Sequence, residues 1–181
     1  MALVSAAAIA IAAELSTPTT FADAHFDSDR NPPEFLPKLV LWNASASVPR
    51  GLYWLRPADH FHVGELVTAA PPSPLASYAA ARNYLPAGVP LLKHIGALPS
   101  QEVCRFGHTV TIDGHTTALA RGRDIRGRPL PVWQGCRRLG AGQVFLLNAG
   151  VPGSFDGRYF GVLSSSTITA SAVPIWTIPE R

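Results

Sequence analysis

Between residues 38 and 178, apolar positions fall in short runs set among polar ones, and Pro, Gly and Asp-Gly repeatedly interrupt them. Short β-prone runs bounded by turn residues predict β-strands. Lys38–Trp42 is the first such run, Gly51–Leu55 the second and Gly64–Thr68 the third, before Pro71-Pro-Ser-Pro74 breaks the pattern. Leu75–Tyr84 (LASYAAARNY) is the one good helical stretch inside this region, because it is alanine-rich and delimited by Pro74 and Pro86. Pro90–Ile95 predicts another strand. His108–Ile112 and His115–Ala120 predict a hairpin about Asp113-Gly114, a strong turn dipeptide. Val144–Asn148, Tyr159–Leu163, Thr167–Ala170 and Pro174–Ile178 complete the strands. The expected fold class is mainly β, with one short internal helix.

The N-terminus has a different texture. Ala2–Ala13 (ALVSAAAIAIAA) is apolar throughout and stops at Glu14. A spanning helix needs about 20 apolar residues, so this run is too short to be one. It has the length of a signal-peptide apolar region but lacks the basic residues that usually precede one. Residues 1–15 are therefore expected to be a leader or membrane-anchor segment, an apolar helix. Residues 16–34 (STPTTFADAHFDSDRNPPE) are polar and proline-broken, which predicts a linker. The folded domain is expected over 35–181.

Composition sharpens the β assignment. Pro (17) and Gly (15) are abundant and charged residues make up only 15%, which disfavours long charged helices. A net charge of +3 argues for no nucleic-acid partner. The basic run Arg121-Gly-Arg-Asp-Ile-Arg-Gly-Arg128 contains no aromatic residue to stack on bases, and reads as a solvated loop. No cluster of histidines has metal-ligand spacing, so neither a metal nor a cofactor is expected. Cys104 and Cys136 leave two possibilities open: separate buried thiols, or one disulfide if the domain is exported.

The candidate chemistry begins with an imbalance. The chain has thirteen arginines and only two lysines, one of them Lys93. Guanidinium does not lose its proton in a protein, whereas an amine can, and can then act as a general base. Ser47 lies in a Pro/Gly-bent segment, Asn43-Ala-Ser-Ala-Ser47-Val-Pro-Arg-Gly-Leu-Tyr53, and a serine hydroxyl needs such a base to be nucleophilic. No Gly-x-Ser-x-Gly elbow and no Ser-x-x-Lys motif is present, which leaves a serine and a lysine on separate strands. For that chemistry the lysine pKa must fall from about 10.4 towards roughly 7–8. Leu91, Leu92 and Ile95 around Lys93 would do this by desolvation. A solvated surface lysine is the competing expectation.

Asn43-x-Ser-x-Ser47-x-Pro49-x-Gly51-x-Tyr53, Leu91-Leu92-Lys93 and Ser154-Phe-Asp156-Gly-Arg158-Tyr-Phe-Gly161 occur in this order. Together they resemble the signal peptidase I superfamily, and within it the TraF-type conjugative-transfer peptidases. The resemblance runs from about Val40 to Trp176, and its most specific piece is SFDGRYFG. It implies a signal-peptidase-like β-rich domain with a serine–lysine dyad, at the periplasmic face of the inner membrane. Ser47 would then be the nucleophile and Lys93 the general base. Ser45 would stabilise the oxyanion, or only cap the turn, and Ser154 would orient the lysine amine. Asp156 and Arg158 would form a structural ion pair. Gly157 departs from the serine more usual there in leader peptidases. The implied partner is an exported, pilin-like precursor, cleaved or cyclised. A general type I signal peptidase and a non-catalytic β-domain of a conjugation or secretion apparatus are the alternatives.

Overall fold

The computed structural model describes Ala10–Ile11 and residues 39–179. Twelve strands and two α-helices occur among them: β1 (Ala10–Ile11), β2 (Leu39–Asn43), β3 (Gly51–Arg56), β4 (Leu66–Ala69), α1 (Ser73–Ala81), β5 (Leu91–Ala97), β6 (Glu102–Phe106), β7 (Thr109–Ile112), β8 (His115–Leu119), β9 (Gly135–Arg138), β10 (Gln143–Leu146), α2 (Gly157–Phe160), β11 (Leu163–Ser164) and β12 (Ile168–Thr177), with a 3-10 turn at Ser165–Thr167. One sheet has the order β1-β2-β3-β12-β4-β5-β10-β11, and a second has the order β8-β7-β6-β9. The fold is β-rich with one short internal helix, as the short β-prone runs and abundant turn residues predict. The expected N-terminal helix lies outside the described residues except at Ala10–Ile11, which are extended and pair with Leu41 and Val40.

Period two decides which side chains meet. On β10, Val144 and Leu146 join Val67, Ala69, Leu91, Ile95 and Leu163 in one core cluster. Phe145, between them, points the other way with Leu147, towards Ala97, Val103, Val110 and Ala118 of the neighbouring elements. A third cluster of Leu41, Val48, Tyr53, Leu92 and Ala172 underlies the turn between β2 and β3. Each fully buried side chain of this kind contributes about 1.5–3 kcal/mol relative to leaving it exposed.

Three expectations need correction. Tyr159–Leu163 is not a strand: α2 occupies Gly157–Phe160, because Asp156 caps it through its carboxylate and Gly161, at φ 75°, ends it. The two strands expected at Thr167–Ala170 and Pro174–Ile178 are one, β12, which bridges β4 and β3 with a register shift between Pro174 and Trp176. β6 and β9 had no counterpart in the sequence pattern. They pair Cys104 with Cys136, and a disulfide joins the two sulfurs. The helix also starts earlier than expected, with Pro74 in its first turn, and ends before Asn83, which has φ 58°.

Candidate active site

The turn between β2 and β3 is tied down by one side chain. Asn43 is 3% exposed; its Nδ2 donates to the carbonyls of Ser45 (2.9 Å), Val48 (3.2 Å) and Pro49 (3.1 Å). Its Oδ1 accepts from the backbone N–H of Ser45 at 3.0 Å and from the Ser45 hydroxyl at 2.8 Å. The Tyr53 hydroxyl donates to the Pro49 carbonyl at 2.6 Å, and Val48 is buried beneath the turn. Gly51 closes it at φ 153°, where a Cβ would lie 2.1 Å from the Trp176 carbonyl oxygen. Only glycine fits there.

Ser47 is half-buried on this turn, with its Oγ 3.0 Å from Ser45 Oγ. A carboxamide oxygen only accepts, so the Ser45 proton is spent on Asn43 Oδ1. The Ser45–Ser47 bond must therefore be donated by Ser47. Asn148, 3% exposed, holds the turn from the other side. Its Nδ2 donates to the carbonyls of Ser47 (2.7 Å) and Leu92 (3.4 Å), and its Oδ1 accepts from the His94 N–H at 3.1 Å. The Leu92 and His94 contacts flank Lys93.

Lys93 sits on β5, between β4 and β10, and is 4% exposed. Burial pushes its amine down from 10.5 to about 8; the Asp156 charge opposes this and the Arg158 charge assists it. Ser45, Ser47, Lys93 and Ser154 all line one cleft of about 440 Å³. Among the described residues, no hydrogen bond joins Ser47 Oγ to Lys93 Nζ. Ser154 is also buried, and its Oγ has no partner among the described residues. A buried hydroxyl without a partner is costly, and at the wall of a cleft it is a donor or acceptor held in reserve.

The segment after Ser154 is built around a buried ion pair. Arg158 Nε and Nη2 each donate to Asp156 at 2.8 Å, and both side chains are 1% exposed or less. The same guanidinium donates to the carbonyls of Val151 (2.7 Å), Asn148 (3.3 Å) and Ser154 (3.3 Å). Asp156 in turn accepts from the Asn148 N–H at 3.1 Å. Arg105, 1% exposed, donates to the Arg158 carbonyl. Gly157 has no room for a side chain: a Cβ would meet Phe145 Cε2 at 2.6 Å and the Leu146 carbonyl oxygen at 2.7 Å. That contact gives a physical reason for glycine here rather than serine. Residues 35–177 match the signal peptidase, peptidase S26, family.

The chain belongs to that family.

Within peptidase S26, it is similar to the probable conjugal transfer protein TraF of Sinorhizobium fredii (strain NBRC 101917 / NGR234). The two are 34% identical over 146 residues, 75% of this chain and 76% of that one. The plasmid transfer protein TraF of Escherichia coli is 33% identical over 146 residues, 75% of this chain and 81% of that one. A signal peptidase I structure from Enterococcus faecalis V583 overlays at TM-score 0.37 and 19% identity, covering 62% of this chain and 97% of that one.

The structure thus brings Ser45, Ser47, Lys93 and Ser154 to one cleft of this peptidase S26 chain, with Asp156 and Arg158 behind it. Cys104 and Cys136 do not line that cleft. Asn148 was not singled out from the sequence. Its only signal there is a lone amide ending the apolar run Val144–Leu147. Among the described residues, the one close grouping of metal-ligating types is Glu102 with Cys104 and Cys136, whose sulfurs are already bonded to each other.

Proposed function

We propose that this chain is a serine endopeptidase acting on exported precursors through a Ser47 nucleophile and a Lys93 general base. The observation that carries the reading is the buried Lys93 amine, held near pH 8 in the cleft that Ser47 lines. A buried amine poised close to neutrality is suited to proton transfer. In the resting arrangement the Ser47 proton points to Ser45, so the hydroxyl rotates towards Lys93 before reaction. Neutral Lys93 Nζ takes the proton as Ser47 Oγ bonds to the scissile carbonyl carbon. The oxyanion is met by the Ser47 N–H and by the Ser45 hydroxyl, which gives up Asn43 to do so. The ammonium of Lys93 then protonates the leaving amine as the C–N bond breaks. Water, deprotonated by Lys93, releases the acid product. If an N-terminal amine of the same substrate attacks instead, the product is cyclic. Ser154 Oγ is the group assigned to orient the amine as it gains and loses its proton.

The TraF relatives are named for conjugal and plasmid transfer, and the substrate we favour is a pilin-like precursor at the membrane surface. No helix among the described residues is long and apolar enough to cross a membrane. Attachment is assigned to the apolar N-terminal residues ahead of β1, with the catalytic domain in the periplasm, where the Cys104–Cys136 disulfide would persist. The test is in-cell processing of a co-expressed pilin precursor, read by intact mass, with wild type, Ser47→Ala and Lys93→Ala. Shortening by wild type alone is expected, and loss of one further water would mark cyclisation. Equal processing by all three proteins would remove the dyad from the reaction. Processing lost only at Ser47 would remove Lys93 as the base.

A further inference from the structure

Arg121–Arg128, a solvated loop by its composition, lies on the rim of the Ser47–Lys93 cleft. Arg82, Arg121, Arg123, Arg126 and Arg128 all line the cleft, against a single carboxylate, Asp124. The loop is also built to hold a shape. Asp124 Oδ1 accepts from the backbone N–H groups of Arg126 and Arg128, both at 2.9 Å. Its Oδ2 accepts from Arg128 Nε at 2.7 Å and from the Tyr84 hydroxyl at 2.5 Å. The Asp124 carboxyl is accordingly held well below the usual carboxylate range by these hydrogen bonds, against the opposing effect of desolvation. Tyr84 packs on Phe155 with ring centroids 5.0 Å apart, so the loop is fastened to the residue that follows Ser154.

The tethers divide the five guanidinium groups. Arg128 is paired with Asp124, Arg123 donates to the Gly127 carbonyl at 2.6 Å, and Arg82 to the Pro129 carbonyl at 2.7 Å. Arg121 and Arg126 are exposed and their guanidinium groups have no partner among the described residues. A rigid loop thus offers two unpaired cations where a chain lying in the cleft would pass. Because the loop is already ordered, little conformational entropy is lost when an anion pairs with it.

We infer that the Arg121–Arg128 loop selects substrates by charge, receiving an acidic segment of the peptide whose scissile bond lies in the cleft. This rests on the proposed function, which puts a peptide there. The acidic occupant follows from charge complementarity: the rim carries unpaired positive charge, while the inner wall near Ser47 is apolar, with Leu41, Leu91 and Leu92. A nucleic acid would need stacking surfaces that the loop itself lacks.

The test uses the full chain carrying Ser47→Ala, so that binding is read without turnover. The probes are fluorescein-labelled peptides with a common alanine-rich core, flanked on either side by Asp/Glu, by Gln or by Lys, followed by anisotropy at low and high salt. The acidic peptide is expected to bind roughly tenfold more tightly than the Gln peptide at low salt. Added salt and the double variant Arg121→Glu/Arg126→Glu should each erase that advantage, and the Lys peptide should regain affinity for the reversed variant. Both side chains are exposed and unpaired, so an unchanged melting temperature is the folding control. Equal binding of acidic and Gln peptides overturns the inference. So does a preference that survives charge reversal, an acidic peptide that fails to bind, or tighter loop-dependent binding of polyuridylate. Cleavage of the same peptides by the chain with Ser47 intact reports separately on the dyad.

Discussion

Asn148 Nδ2 donates to the carbonyl of Ser47 at 2.7 Å, across 101 residues of sequence. The same side chain reaches the backbone on both sides of Lys93, and its own N–H is held by Asp156. One amide therefore sets the nucleophile turn, the lysine strand and the buried ion pair in register. Asn148→Ala is expected to lower the rate of precursor cleavage about 100-fold, the scale of a small misplacement of reacting groups. It should also cost about 1–3 kcal/mol of stability in a urea melt, through unsatisfied buried carbonyls. A variant with unchanged kcat would show that the turn holds itself.

The Lys93 amine sets a pH dependence. Burial lowers it to about 8, and only the neutral form can accept the Ser47 proton. Initial rates should climb through pH 8 and then level off, because the base is fully deprotonated above it. Rates still climbing near the ordinary lysine value would mean that Lys93 is not the group that titrates.

The same burial has a cost in stability. The unfolded chain keeps the lysine proton up to 10.5, whereas the folded chain releases it at about 8. Between those values the unfolded state binds more protons, so this group makes stability rise with pH; below about 8 the full penalty is present. Lys93→Met should therefore be inactive yet more stable at neutral pH, by on the order of 3 kcal/mol. That advantage should shrink as pH rises towards 10.5 in paired denaturation curves. A destabilised Met variant at neutral pH would contradict the buried, charge-averse environment.

Asp156 and Arg158 carry the opposite lesson, since removing one partner leaves the other charged and buried. Arg158→Ala is expected to cost about 3–5 kcal/mol, far more than a surface pair would. It also frees the carbonyls of Val151, Asn148 and Ser154, so the wall of the cleft should loosen. Thermal melting, with hydrogen exchange at 148–158, reads both effects.

Strands such as β3 and β7 were legible in the sequence because short β-prone runs between turn residues are a local signal. β6 was not, because Arg105 is buried in it. The carbonyl of nearby Gly107 and the distant carbonyls of Pro131 and Arg158 make that burial tolerable. Tyr159–Leu163 read as a strand from its aromatic and β-branched content, yet the Asp156 cap and Gly161 end were present as signals of a helical turn. Lys93 was legible from its rarity and its leucine neighbours. Asn148 was not, since the partners of its side chain (Ser47, Leu92 and His94) converge only when β5, the end of β10 and the Ser47 turn are folded together.

The most direct test of the dyad is to trap the acyl-enzyme. A precursor peptide is mixed with the enzyme above pH 8, quenched in acid and mapped by tandem mass spectrometry. The account predicts an acyl adduct on Ser47 that is absent from Ser47→Ala and does not accumulate with Lys93→Met. An adduct on another residue, or cleavage that persists in Ser47→Ala, would contradict it.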